Sequence, residues 1–228
     1  MSTLARFCSL VLPVTAILLL GPSSGPPVYH QTESGPDRYF PEATFKEGGG
    51  FFADFLNNTG EPSLLAIARN DPKALCYRLD WAGVTSLRLL TIRLSVSPDG
   101  SAQITTIKGG FRSTEFHKTE LTASPDATKK FLKMVADADF WSMPLVEPPP
   151  PPGPDGRRPY KMDGEIWLFE GIREGKYHVV YRHLPEPSSF TEMVHLLAKD
   201  LAKLDDSWVP KAFGPEPPIK IVTSPGTR

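Results

Sequence analysis

The sequence predicts an α+β fold: one antiparallel sheet assembled from two ββα-like units, with helices packed on one face. Three observations predict it. Only four of the 25 prolines, Pro98, Pro125, Pro185 and Pro187, fall within residues 76–140 and 164–209, and proline is tolerated poorly inside helices and central strands. Those same segments carry runs of alternating hydrophobicity joined by turn residues. Each run is followed by an amphipathic stretch with a helix-capping residue at its start, so the order reads strands, helix, loop, strands, helix.

Residues 1–25 read as a signal peptide. Arg6 precedes the apolar run Phe7 to Leu20, and Gly21-Pro22-Ser23-Ser24-Gly25 follows with the small and turn-forming residues of a cleavage region. Fourteen residues interrupted by Pro13 are short for a membrane crossing. The expected location is therefore outside the cytoplasm, periplasmic or extracellular, with no integral span after cleavage; an uncleaved signal anchor is the alternative. After cleavage the chain keeps Cys76 as its one cysteine, which is expected as a buried small hydrophobe. Asn57-Asn58-Thr59 is a glycosylation sequon.

Residues 26–75 lack a sustained period over 26–61, where disorder is the alternative for the first half, contain Gly48-Gly49-Gly50, and carry aromatics at Tyr39, Phe40, Phe45, Phe51, Phe52 and Phe55. They read as a loop-rich arm docked through those rings, with a short helix over Pro62 to Arg69 that Asp71-Pro72 stops. A single domain follows over 76–209. Leu90, Ile92, Leu94 and Val96 alternate with Thr91, Arg93 and Ser95, the period of a strand. The turn Pro98-Asp99-Gly100 sets Ser97 opposite Ser101, hence Leu94 against Ile104 and Val96 against Ala102. Residues 113–121 alternate again and add a strand.

Ser124-Pro125 opens a helix with serine as cap and proline in the first turn, and Phe131, Leu132, Val135 and Ala138 share one stripe. The proline-rich segment 144–162, with five consecutive prolines at Pro148 to Pro152, reads as an exposed loop inserted between core elements. A second hairpin spans Glu165 to Arg182. A second helix spans Ser189 to Leu204, opened by a capping box at Ser189-Phe190-Thr191-Glu192. Residues 210–228, with five prolines, read as a disordered tail.

The second hairpin carries the candidate site. A two-residue turn at Glu174-Gly175 needs a positive φ at Glu174, whereas a turn over Arg173-Glu174 with Gly175 left-handed avoids it. The second choice sets Glu170 opposite His178 and Trp167 opposite Tyr181. Glu170, His178 and Arg182 then share a mixed face within cross-strand reach. Such a trio reads first as an ion-paired patch of the sheet, and next as a candidate surface by which a non-enzymatic binding or structural domain meets an envelope or extracellular protein. The alternative is an exported hydrolase or transferase in which Glu170 raises the basicity of His178.

No catalytic residue, cofactor or metal is assigned. His178 and His183 stand five apart along a strand and point to opposite faces; His195 reads as solvated near Glu192 and Lys199, and no nucleophile elbow or metal-binding helix occurs. A net charge of −1 removes the usual electrostatic argument for nucleic acid.

The text Asp163-Gly164-x-x-Trp167-x-x-Glu170-Gly171, followed by Gly175-x-Tyr177-His178-x-Val180-x-Arg182, resembles an uncharacterised family of exported bacterial proteins. Phe140-Trp141-x-x-Pro144 and Cys76-Tyr77-Arg78-Leu79 are similar to that family too. The resemblance spans about residues 75–205 and implies the domain boundaries and export. It assigns no activity, and the proline loop before Asp163 looks like an insertion relative to the family's spacing.

Overall fold

A computed structural model describes residues 39–44, 47, 49–111, 113–149, 151–152, 156 and 164–212. The expected signal peptide, the first part of the expected arm, most of the proline-rich segment and the end of the expected tail lie outside the described residues. In chain order the elements are α1 (Glu42–Thr44), α2 (Gly50–Asn58), α3 (Leu64–Asn70), β1 (Cys76–Gly83), β2 (Arg88–Val96), β3 (Ala102–Gly110), β4 (His117–Ala123) and α4 (Pro125–Asp137). After a 3-10 turn (Phe140–Ser142) come β5 (Glu165–Arg173), β6 (Lys176–His183) and α5 (Ser189–His195), which continues in π register over Leu196–Leu201. No helix among the described residues is long and apolar enough to cross a membrane.

The six strands form one sheet in the order β4-β3-β2-β1-β5-β6, antiparallel throughout. The first unit is thus a four-strand meander, and β5 returns to pair with its first strand. The α+β antiparallel architecture is as expected. So is the β2–β3 register, Leu94 with Ile104 and Val96 with Ala102, closed by a turn whose Gly100 takes φ 84°. Glycine reaches that region without a Cβ penalty. Ser124 caps α4 by accepting from the Ala127 amide.

α4 and α5 pack on one face, as the pattern predicts, over Tyr77, Leu79, Trp81, Ile92, Leu94, Trp167, Phe169 and Val180. The opposite face is not left to solvent. The arm, expected to be loop-rich, forms α2 and α3 there, and Phe52, Phe55 and Leu56 of α2 bury against Ala82, Leu89, Ile107, Leu168 and Val179. Their spacing of three and four residues is the core stripe of a helix. The sheet is therefore sandwiched, which is why β1 is buried along its whole length.

Three local readings are corrected. The cap of α5 is Ser188, not Ser189: its hydroxyl accepts from the Thr191 amide, and the Thr191 hydroxyl accepts from the Ser188 amide. The cap of α3 is Ser63, which accepts from Ala66, so Pro62 lies before the helix. His195 is half-buried, its ring tilted at 52° beside Trp167, and hydrogen-bonded through Nε2 to the Pro210 carbonyl at 2.7 Å, where solvation was expected.

Candidate functional site

The site expected on the β5–β6 hairpin is dispersed by a one-residue shift. Arg173 pairs with Lys176, so the turn is the two-residue form, with φ 54° at Glu174 and φ 70° at Gly175. Two successive positive φ values match the twist of the flanking strands, and a left-handed Glu costs about 1–2 kcal/mol. The pairing it permits puts Trp167, Phe169 and Val180 together in the α4–α5 core. Glu170 then faces Val179, Gly171 faces His178, and Trp167 faces Arg182. Because strand side chains alternate, shifting by one residue moves every β6 side chain to the other face.

Consequently Glu170 lies on the arm-covered face, while His178 and Arg182 lie on the α4–α5 face. They form no Glu–His pair. His178 packs beside Phe140, ring centroids 4.9 Å apart, and Trp141; burial pulls its imidazole below the usual range. Arg182, only 5% exposed, donates to the carbonyls of Pro144 and Leu145 at 3.1 Å each and so pins the start of the proline segment to edge strand β6. Val146 extends that contact as a single bridge to Tyr181.

Glu170 belongs instead to a buried polar cluster that the sequence reading missed. Arg78 and Asp80 point from β1 to the same face, both 0% exposed. Arg78 donates from Nε to Glu170 Oε1 at 2.7 Å, sets Nη2 2.5 Å from the same oxygen, and lies 3.4 Å from Asp80 Oδ2. Its Nη1 donates to the Pro62 carbonyl at 2.7 Å, and the Tyr39 ring lies 5.9 Å away. Tyr177 donates to Glu170 Oε2 at 2.8 Å, and Thr91 donates to Asp80 Oδ1 at 2.5 Å. Directly across the sheet from Arg78, Arg93 pairs with Glu61 at 2.7 Å and donates to Ser95 and Thr105. Tyr39 donates to the Glu61 carbonyl at 2.8 Å.

Two arginines opposite each other would repel without intervening carboxylates; Glu61 and Glu170 supply them. Burial alone would lower the Arg78 guanidinium, but Glu170 and Asp80 outweigh it and hold it above its ordinary range. Asp80 is pushed up to about 7, chiefly by burial, against the opposing pull of Arg78. Burial raises Glu170 as well, again opposed by Arg78, and lifts the Tyr177 phenol well above its usual value, with Glu170 adding to the shift. With the arm docked, no substrate reaches these groups. Their visible work is to clamp Tyr39, Glu61 and Pro62 onto the sheet.

The concavity that a ligand can enter lies beside this clamp. Phe51, Phe55 and Asn58 of α2, Leu89 and Gly110 of the sheet, and Phe111, Ser113, Thr114 and Phe116 of the β3–β4 connection enclose about 260 Å³. Phe55 and Phe116 meet edge to face at 5.5 Å, and Phe51 and Phe111 lie 5.6 Å apart. The walls are aromatic, whereas Asn58, Ser113 and Thr114 place an amide and two hydroxyls among the lining groups. A second depression, about 330 Å³, lies around Trp81, Arg88, Glu165 and Lys211. There the Glu165 carboxylate is already satisfied through Oε2 by the indole N–H groups of Trp81 and Trp167 and the Lys211 amide.

Among the described residues no group of three or more His, Cys, Asp or Glu side chains is arranged to hold a metal ion. Cys76 is free and buried, its thiol raised chiefly by that burial. No protein-family model matches the chain, and no curated protein matches it.

Proposed function

We propose that the protein is an extracytoplasmic, non-enzymatic binding domain that takes a small ring-containing apolar molecule in the pocket between α2 and the β3–β4 connection. The observation that carries this reading is the pocket itself: four phenylalanines around about 260 Å³, with Asn58 and Thr114 at the lining to orient a polar substituent, the Ser113 hydroxyl being engaged by the Glu115 backbone. An apolar cavity of about 150 Å³ holds benzene, so this one suits a substituted or bicyclic ring. It falls below the usual range for drug-sized ligands, roughly 300–1,000 Å³.

The recognition surface thus moves from the 165–182 hairpin, both of whose faces are covered, to the arm side of the sheet. The non-enzymatic reading is supported by the placement of Glu170 and His178 on opposite faces. The extracytoplasmic reading is supported by the apolar run Phe7 to Leu20 and the turn-rich stretch after it.

Calorimetric titration with indole tests the proposal. At about 0.5 kcal/mol per non-hydrogen atom, between the limits for the smallest and for drug-sized ligands, indole should bind with a dissociation constant on the order of 0.5 mM. Asn58→Trp, which fills the pocket from its exposed rim, should abolish the binding. Wild-type protein that shows no heat at 5 mM indole, or an Asn58→Trp variant that binds as tightly as wild type, contradicts it.

A further inference from the structure

We propose that the buried cluster of Glu61, Arg78, Asp80, Arg93 and Glu170 is a proton-operated latch on the arm, and that it thereby regulates the aromatic pocket. The inference rests on the pocket reading for what the arm controls, and on separate observations for the latch. The first is where the anchors fall. Tyr39, Glu61 and Pro62 receive or make the clamp bonds, and these residues bracket α2, which supplies the Phe51, Phe55 and Asn58 wall of the pocket. Glu61 stands three residues beyond Asn58. Freeing the clamp therefore frees that wall.

The second observation is charge. Facing Asp80 are Arg78 from its own strand, Arg93 and Thr91 from β2, Glu170 from β5, Tyr177 from β6, and Glu61 and Tyr39 from the arm, with Cys76 farther along β1. Three carboxylates thus meet two guanidiniums, and although the Arg93 side chain keeps 18% of its surface exposed, the three carboxylates are buried and carry one negative charge more than the arginines can pair. A buried uncompensated charge is costly, and one proton removes it. Asp80 Oδ2 is the place for that proton, being buried without a hydrogen-bond donor.

The sign follows from linkage. Asp80 is raised from 3.8 to about 7 while the arm is docked, so the docked state holds the proton more tightly than the open, solvated state. Docking is strongest below about pH 4, weakens as pH rises through that interval, and levels off above about 7. With the ordinary carboxyl value as the open-state limit, a single linked proton weakens docking by at most roughly 50-fold between pH 5 and pH 7. Glu170, raised in the same sense, adds to the trend.

Hydrogen exchange on the full chain, corrected for the intrinsic pH dependence of amide exchange, reads the opening directly. Protection of the α2 amides should fall from pH 5 to pH 7 by more than twofold and up to about 50-fold, while α4, on the other face, serves as the internal reference. Asp80→Asn keeps the Thr91 hydrogen bond and removes the main titration, so its α2 protection should lose most of the wild-type slope, keeping only what Glu170 adds, and at pH 7 should exceed that of wild type. Should Asp80→Asn not fold, Thr91→Val removes the hydroxyl that holds Asp80 down, and the falling limb should extend above pH 7. The latch is overturned if wild-type α2 protection changes less than twofold relative to α4, if Asp80→Asn keeps the wild-type slope, or if Thr91→Val leaves the limb where it was. Adding 5 mM indole separates the two proposals. A pH slope with no indole protection of α2 keeps the latch and removes the pocket reading; indole protection with no pH slope does the reverse.

Discussion

Arg78→Met should be among the most destabilising single changes in the chain. The guanidinium is 0% exposed and within 2.7 Å of Glu170 through two nitrogens, 3.4 Å from Asp80, and bonded to the Pro62 carbonyl. At an effective dielectric of about 20, a pair at that spacing attracts by about 6 kcal/mol, most of which is offset by desolvation. Removing one partner keeps the desolvation and discards the attraction, so about 3–5 kcal/mol is lost, and the orphaned Pro62 carbonyl adds about 1 kcal/mol. Against a total stability of roughly 5–15 kcal/mol, that is a large fraction.

The assay is equilibrium urea unfolding. With a slope of about 2 kcal/mol per molar, the midpoint at pH 7 should fall by about 2–3 M. Arg78 is the largest influence holding Asp80 and Glu170 down, so in the variant both carboxyls rise further and take up protons on acidification. The deficit relative to wild type should therefore shrink at pH 5. Arg78→Met combined with Glu170→Leu should recover at least 2 kcal/mol of the loss, since cation and carboxylate leave together. A deficit below about 1 kcal/mol, the size of an exposed pair, or one that is equal at pH 5 and pH 7, would refute the reasoning.

Glu174→Asn should raise the unfolding midpoint by up to about 1 kcal/mol in stability, because asparagine occupies the left-handed region at φ 54° more readily than glutamate; a loss of stability would indicate the wider turn. Ser188→Ala should cost about 1 kcal/mol and Ser189→Ala less than half of that, as measured by urea midpoint, since the former removes the cap of α5; the reverse ranking would restore the sequence-based cap. Gly171→Ala should cost about 1–3 kcal/mol, because a Cβ there would sit 2.8 Å from the Tyr77 ring and 3.0 Å from Phe140. A thermal midpoint unchanged from wild type would count against that packing.

What was legible in the sequence was local. The β2–β3 register followed from Pro98-Asp99-Gly100 agreeing with the alternation on either side, and α4 from Ser124-Pro125 agreeing with the stripe at Phe131 and Val135. Where local preference and tertiary packing disagreed, packing prevailed. Glu174 accepts a left-handed backbone because the register it allows buries Trp167, Phe169 and Val180 together, and no residue near the turn announces that.

The arm helix α2 was hidden behind Gly48-Gly49-Gly50, although Phe52, Phe55 and Leu56 already had helical spacing. Arg78 and Asp80 were present in the text only as polar residues two apart in Cys76-Tyr77-Arg78-Leu79-Asp80. Their meaning depends on Glu170, 92 positions away, and on Glu61 from the arm. A charged pair on a fully buried strand is the signal that could have pointed to them, but it becomes visible only once both faces of β1 are known to be covered.

In the proposed site, α2, held by the buried clamp, completes the walls around a small ring-containing molecule. Intermolecular nuclear Overhauser effects between indole and the isotopically labelled full chain at pH 5 test it most directly. Contacts are expected from indole protons to the side chains of Phe51, Phe55, Leu89, Phe111 and Phe116, with none to Trp81 or Arg88. Contacts gathered instead around Trp81 and Arg88, or none at all at 5 mM indole, would contradict it.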